Sequence, residues 1–261
     1  MRASSLRYRR GFTLVELLSV IAISTVMITM TASFANLRGS GNMTLAAYEV
    51  AGMLERARAH ATAHNTYVWV GFYEEDAGAV VPTNAQPPYT GRGRVVISAV
   101  ASTDGTAIVE PGAPPAMLPS SRVAPLARLL MLQNVHLAEL TPPSAGTGGN
   151  GSNTETLGSR PDTAFSFNSA TGDDRFNRIS SDNSDQARHS FAAQRYSFYK
   201  TVRFSPRGEV HVTGKDGAYM LVPLVEIGLR PTHGSVLHTS DANIAAIQIT
   251  GITGHVKIYR P

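Results

Sequence analysis

The sequence predicts an α+β protein, in which one long N-terminal helix precedes an antiparallel β-sheet or β-sandwich domain. The first observation is an apolar run from Phe12 to Phe34 in which Glu16 is the only ionisable side chain. The second is a helical pattern that continues to about His64. The third is a series of short β-branched and aromatic segments, separated by Gly, Pro and Asp, without helical patterns between them. We therefore predict four segments: a leader (1–11), a transmembrane helix (12–34), its amphipathic continuation (35–64) and a globular domain (65–261).

The leader carries only positive charge. Its charged residues are four arginines: Arg2, Arg7, Arg9 and Arg10. Arginines that flank a membrane helix stay on the cytoplasmic side, so the leader sets the membrane orientation. The apolar run rises about 1.5 Å per helical residue and covers a bilayer core of about 30 Å. We therefore expect a single-pass inner-membrane protein with a cytoplasmic N terminus and a periplasmic C-terminal domain.

Glu16 distinguishes this segment from a simple anchor. A carboxylate within a membrane helix is costly and usually functional, with a partner that can be named. Glu16 lies one helical turn beyond Phe12. If the chain were cut before Phe12, the new N-terminal amine of Phe12 would be the natural partner of Glu16, in the same or a neighbouring helix. The alternative is a signal anchor whose Glu16 lies at the level of the lipid headgroups.

The basic leader, Gly11, Phe12, Thr13–Val15, Glu16 and the long apolar run together resemble the N terminus of type IV prepilins and pseudopilins. The resemblance implies that prepilin peptidase cleaves the Gly11–Phe12 bond and methylates Phe12. It also implies that Glu16 serves filament assembly, by pairing with the N-terminal amine of a neighbouring subunit. Many pilins carry a proline within this helix. This chain has none there, and Gly39 and Gly41 are the predicted weak point or bend instead.

A conventional cleaved signal peptide is the main alternative. It would have an apolar core of about 7–15 residues followed by a small-x-small cleavage site. The apolar run here is longer, although Thr31–Ser33 and Ala35 supply small residues. Cleavage there would release a secreted β-domain and would leave Glu16 without a role.

The charge balance of the mature chain argues against nucleic-acid binding. Without the four leader arginines, 19 of the 23 Lys and Arg remain, against 19 Asp and Glu. A DNA-binding minor pilin is therefore kept only as an alternative. The chain has no cysteine, which excludes disulfides and thiolate metal sites.

From Met43 to His64, apolar residues at helical spacing predict one buried stripe: Ala46, Val50, Met53, Leu54, Ala57 and Ala61. His60 and His64 lie one turn apart, a spacing that could hold zinc. Because no third ligand is evident, we expect these histidines to face solvent and we predict no metal site.

The rest of the chain is predicted to be strands and loops. Strands are expected at 67–73 (ended by the acidic residues from Glu74), 94–100, 106–109, 165–167, 196–204, 209–213, 219–222, 244–250 and 255–259. Residues 126–140 fit either a buried strand or a short helix and a strand. Polar stretches near 141–161 and 169–189 are predicted long loops, and the aspartates of the second do not have EF-hand spacing, so calcium binding stays open.

A second resemblance lies near the C terminus. Phe204–Gly208 and Gly254–Ile258 resemble pieces of the H-type minor pseudopilins of type II secretion. The ending Ile247–Ile249, Gly254, Val256 and Tyr259–Pro261 resembles the Verru_Chthon cassette protein D family of prepilin-like proteins. Such short pieces also occur in unrelated hairpins.

No motif of an enzyme is found in the sequence. It lacks a Gly-x-Ser-x-Gly elbow, a Walker loop and a Rossmann fingerprint, and we expect neither catalytic residues nor a cofactor. Gly11 and Phe12 would instead be acted on by another enzyme. We expect a structural subunit whose partners are prepilin peptidase, other pilin or pseudopilin subunits through the N-terminal helix, and the inner membrane. Secretion, adhesion, uptake and motility are all open roles at this point.

Overall fold

The computed structural model describes residues 14–79, 90–109, 116–138, 140, 157, 160, 178–179, 189–213, 219–237 and 243–261. The chain divides into two units, residues 1–41 and 42–261. The predicted strand at 165–167 lies outside the described residues, as do most of the two predicted long loops.

A single α-helix, α1 (Leu14–Ala63, 50 residues), begins in the first unit and ends in the second. It runs through Gly39 and Gly41 without interruption, and the bend predicted there stays a prediction. In the part of the chain that the structure describes, no helix has both the length and the apolarity needed to cross a membrane. The transmembrane role of residues 12–34 is therefore still a prediction.

Fifteen strands follow the helix among the described residues. They are β1 (Val68–Asp76), β2 (Gly93–Ser102), β3 (Val123–Pro125), β4 (Leu130–Gln133), β5 (Val135–Ala138), β6 (Arg178–Ile179), β7 (Phe191–Ala193), β8 (Tyr196–Phe198), β9 (Lys200–Phe204), β10 (Val210–Thr213), β11 (Tyr219–Leu221), β12 (Leu224–His233), β13 (Val236–Leu237), β14 (Ala245–Thr250) and β15 (Val256–Tyr259).

These strands form two sheets and a separate hairpin. The first sheet has the order β11-β10-β9-β1-β2-β3, and β4 also pairs with β2. The second sheet has the order β13-β12-β14-β15, and β5 and β6 also pair with β12. The third element, which we call the β7–β8 hairpin, has two strands. The predicted α+β class with antiparallel sheets is confirmed, with one parallel exception in the short pairing of β6 with β12.

The main core of the second unit lies between α1 and one face of each sheet. The predicted helical stripe is confirmed, since all six of its residues are buried. It packs with alternate residues of the first sheet, such as Val70 and Phe72, and of the second sheet, such as Ile227 and Ile247. Because apolar burial contributes about 25 cal/mol per Å², this shared core is the main source of stability for the unit.

A smaller core lies on the opposite face of the first sheet. The β7–β8 hairpin covers β1 there, and Phe191 and Phe198 pack with Trp69. Gly71 makes this approach possible, because a Cβ at that position would lie 2.5 Å from Phe198 Cβ. The consequence is that β1 is buried on both faces.

Among the described residues, three buried glutamates are each held by several donors. Glu74 on β1 accepts hydrogen bonds from His136 Nδ1 (3.0 Å), from the Gly93 amide (2.9 Å) and from the Leu137 amide (3.2 Å). This carboxylate therefore links the first sheet to β5 of the second sheet. The prediction that the acidic residues from Glu74 end the strand is wrong, because β1 continues to Asp76 with Glu74 buried.

The other two buried carboxylates hold peripheral segments in place. Glu75 accepts from Arg94 (2.7 Å), from Arg195 (3.3 Å) and from the Tyr196 hydroxyl (3.3 Å), which fixes the β7–β8 hairpin. Burial is the largest cause, and the charge of Glu75 the second, of a rise in the pKa of nearby Tyr73 to about 12.

Glu226 on β12 accepts from Arg160 Nε and from Gln248 Nε2, both at 2.8 Å. Arg160 and Leu157 are buried, although both lie within the stretch predicted to be a surface loop. These two residues therefore attach that stretch to the second sheet.

Several strand predictions are corrected. Residues 106–109 form bends rather than a strand, and Asp104 accepts instead from Thr106 and Arg122. The predicted strand 196–204 is interrupted at Tyr199, where the chain passes from the hairpin into the first sheet. Residues 126–138 contain two strands and no helix. Five of the described strands were not predicted: β3, β6, β7, β12 and β13. Of these, β6 lies within the stretch 169–189 that was predicted to be a loop.

Candidate functional site

Of the site residues predicted from the sequence, the structure describes one. Glu16 lies in the first turn of α1 and is exposed. The others lie outside the described residues: Gly11, Phe12, Arg2, Arg7, Arg9 and Arg10. A carboxylate in the first turn is favoured by the helix dipole, by about 0.3–1 kcal/mol at an exposed position.

The segment around Glu16, residues 14–27, presents an apolar surface. Eight of its large apolar side chains are 55–79% exposed: Leu14, Val15, Leu17, Leu18, Val20, Ile21, Ile23 and Met27. Covering them would contribute about 10 kcal/mol, at about 1.5–3 kcal/mol for each fully buried side chain and allowing for partial exposure. A surface of this kind requires a partner that is itself apolar.

The hydroxyl groups of this segment are satisfied within the helix. The Ser19 hydroxyl donates to the Glu16 carbonyl (2.8 Å), and the Ser24 hydroxyl donates to the Val20 carbonyl (2.7 Å). Thr25 donates to the Ala22 carbonyl at 2.8 Å. These bonds remove the need for water, so the segment can be placed in lipid or among other helices at little polar cost.

Comparison with known families gives one match. Residues 6–32 match the family model described as the prokaryotic N-terminal methylation motif. This match supports a type IV pilin-like protein that is a substrate of prepilin peptidase. No curated protein and no solved structure matches the chain.

The described residues of the second unit form two further candidate sites. One is a mostly apolar groove of about 530 Å³ between β3 and the β7–β8 hairpin. The other is a polar pocket of about 340 Å³, which contains Arg203, Arg207 and His211. The Arg203 guanidinium lies 5.0 Å from the centre of the Tyr67 ring. The pKa of His211 is lowered mainly by burial and secondly by the positive charge of Arg203.

The two C-terminal pieces that carried the second resemblance are neighbours in the structure. Phe204 ends β9, and Ser205–Gly208 lie in the turn before β10, where the Gly208 amide donates to the Ser205 carbonyl (2.8 Å). Gly254 lies in the turn between β14 and β15, where a Cβ would collide with the Gly208 carbonyl. The close contact of these two turns is a packing reason for glycine at Gly254.

The paired histidines near the end of α1 stack on each other. The ring centroids of His60 and His64 are 4.1 Å apart. Partial burial and the neighbouring His64 lower the pKa of His60. Within the described ranges, no group of three or more His, Asp or Glu side chains is arranged to hold a metal ion.

Proposed function

We propose that the chain is a prepilin-like structural subunit, a minor pilin or pseudopilin, whose α1 helix acts first as a membrane anchor and then as part of a filament core. Prepilin peptidase would cleave after Gly11 and methylate Phe12. The observation that carries the proposal is the exposed apolar surface of residues 14–27, found within a match to the methylation motif. Both a lipid bilayer and a bundle of like helices would cover that surface.

Glu16 provides the driving force for the second step. A carboxylate in lipid is costly, and pairing with a cation within a helix bundle removes most of that cost. The new amine of Phe12 in a neighbouring subunit is the cation we propose. Glu16 is the only ionisable group between Phe12 and Phe34, so no other residue of that segment can take this role.

The first test is N-terminal analysis and intact mass of the membrane-extracted protein, in cells with and without prepilin peptidase. We expect a chain that begins at N-methylated Phe12, only when the peptidase is present. Gly11→Leu should leave the leader attached, because a side chain replaces the smallest residue at the cleaved bond. A chain cut near residue 33, or an intact leader in cells with the peptidase, would refute the proposal.

The second test separates assembly from processing. Glu16→Ala should be processed as efficiently as the wild type, yet should reduce the amount of protein in sheared filaments at least about tenfold, since an unpaired amine remains in the bundle. Glu49→Ala is the matched control, because it removes an exposed carboxylate elsewhere on the same helix. Normal assembly of Glu16→Ala would contradict the charge-pair role.

A further inference from the structure

The groove beside the β7–β8 hairpin has a defined construction. Its floor is the outer face of β2, where Ser98 and Val100 lie. One side is formed by β3 and the residues after it, including Pro125 and Leu129, and the other side by the hairpin. Its volume of about 530 Å³ lies within the range of pockets that enclose a compact ligand, about 300–1,000 Å³.

The hairpin presents backbone groups to this groove. Its two-residue turn, Gln194–Arg195, places Ala193 opposite Tyr196. The backbone amide and carbonyl of Ala193 are therefore directed towards β8, and those of Ala192 are directed away from it. The neighbouring outward position, Ser190, already accepts a hydrogen bond from the Leu118 amide (2.7 Å). Within the described residues, no group bonds to the outward amide and carbonyl of Ala192, which lines the groove. The edge of β7 therefore has one open position, at Ala192, where a further extended segment can pair.

The charge of the groove indicates what that segment carries. Among the described residues, Arg128 is the one charged side chain that lines it. The side chain is exposed, and no carboxylate of the described residues forms an ion pair with it. An acidic group on the ligand would complement this charge.

We propose that the groove binds an extended segment of a partner protein, which pairs with the edge of β7, places a small apolar side chain over Ser98 and Val100, and directs an acidic side chain to Arg128. Backbone pairing would provide affinity, and the floor together with Arg128 would provide specificity. This inference goes beyond the subunit function, because the groove lies in the second unit and does not involve the N-terminal helix.

The probe is a fluorescein-labelled peptide, Glu-Val-Ser-Val-Ser-Val-Glu, titrated by fluorescence anisotropy with the full chain in detergent. Its alternating valines fit one apolar face, and a Glu at each end allows either strand direction. We expect saturable binding of this peptide and binding at least about tenfold weaker of the version with Lys at both ends, a difference of about 1.4 kcal/mol or more.

Two variants and one modified peptide test the contacts. Arg128→Glu should weaken binding of the Glu peptide about tenfold or more and should favour the Lys peptide. Arg56→Glu, the same charge change on the exposed face of α1, should leave both affinities unchanged. Ala192→Pro removes the outward amide at an edge position that tolerates proline, and should also weaken binding about tenfold. N-methylation of the peptide backbone should have the same effect without altering the protein.

Three results would overturn the proposal. The first is the absence of saturable binding. The second is binding that changes neither with Arg128→Glu nor with N-methylation of the peptide backbone. The third is self-association in sedimentation velocity that Arg128→Glu abolishes, in a protein that binds no peptide. The last result would assign the groove to a second copy of this chain.

Discussion

Replacing Glu74 by Gln tests how the two sheets are held together. The two carboxylate oxygens accept different backbone amides, Gly93 on Oε1 and Leu137 on Oε2, and His136 Nδ1 lies 3.0 Å from both. A glutamine side chain has one acceptor oxygen, so it can accept from only one of these two backbone amides. The other backbone amide loses its acceptor and faces the NH₂ group of the glutamine, which is itself a donor. An unsatisfied buried donor costs about 1–3 kcal/mol, and the remaining bonds lose the strength that the charge gave them. We expect a loss of about 2–4 kcal/mol in the free energy of unfolding.

Urea unfolding of the full chain in detergent measures this loss through the fluorescence of Trp69. This residue is the only tryptophan, is fully buried and lies on β1, five residues before Glu74. With a slope of about 3 kcal/mol per M, the midpoint of Glu74→Gln should fall by about 1 M with the slope unchanged. Glu49→Gln removes the same charge from an exposed helix position and should change the free energy by less than about 0.5 kcal/mol. Equal midpoints for Glu74→Gln and the wild type would refute the structural role of this carboxylate.

Two further predictions concern glycines and a histidine. Gly71→Ala should destabilise the second unit by about 1–3 kcal/mol, because the added Cβ would lie 2.5–2.8 Å from atoms of Phe198 and Phe191. Gly52→Ala on α1 should instead stabilise the unit by about 0.5–1 kcal/mol, because a Cβ there has no atom of a neighbouring segment within 4 Å and alanine favours the helix. Urea midpoints that move in the same direction for both variants would contradict the packing of the hairpin. The pKa of His211 is lowered in the folded state, so the unfolded chain takes up the proton first as the pH falls. Stability from this residue should be complete above pH 6.5 and should decline below it, and His211→Gln should reduce this decline in urea midpoints measured from pH 7.5 to 5. An unchanged pH dependence in His211→Gln would show that other groups are responsible.

The elements that could be predicted are those whose signal lies within one stretch of chain. The stripe on α1 recurs at three- and four-residue steps, and the burial of Val50 and Ala57 follows from that spacing. The last hairpin was predicted because two apolar runs flank a Gly-rich turn, and it is present as β14 and β15. In contrast, β12 contains Gly228 and Pro231 and does not alternate, yet it lies between β14 and β5 and is buried along most of its length.

The candidate sites show the same division. Glu16 could be identified because a single carboxylate in an apolar run is unusual wherever the chain folds. The groove could not be predicted, since its floor, its sides and Arg128 come from three separate segments. The buried carboxylates were missed for the same reason: Glu74 binds His136, 62 positions away, and adjacent acidic residues in a sequence resemble a solvated turn.

The sequence by itself determined the features that depend on neighbouring residues: the basic leader, the motif around Gly11 and Glu16, the apolar run, and the helical stripe that follows it. Only the tertiary structure decided which face of β1 receives the hairpin, which donors reach Glu74, Glu75 and Glu226, and where a groove is left open. The physical reason is that helical periodicity and charge asymmetry act over a few residues. Burial of a carboxylate or formation of a groove requires tertiary contacts between segments that are distant in the sequence. A local sequence pattern does not specify those contacts.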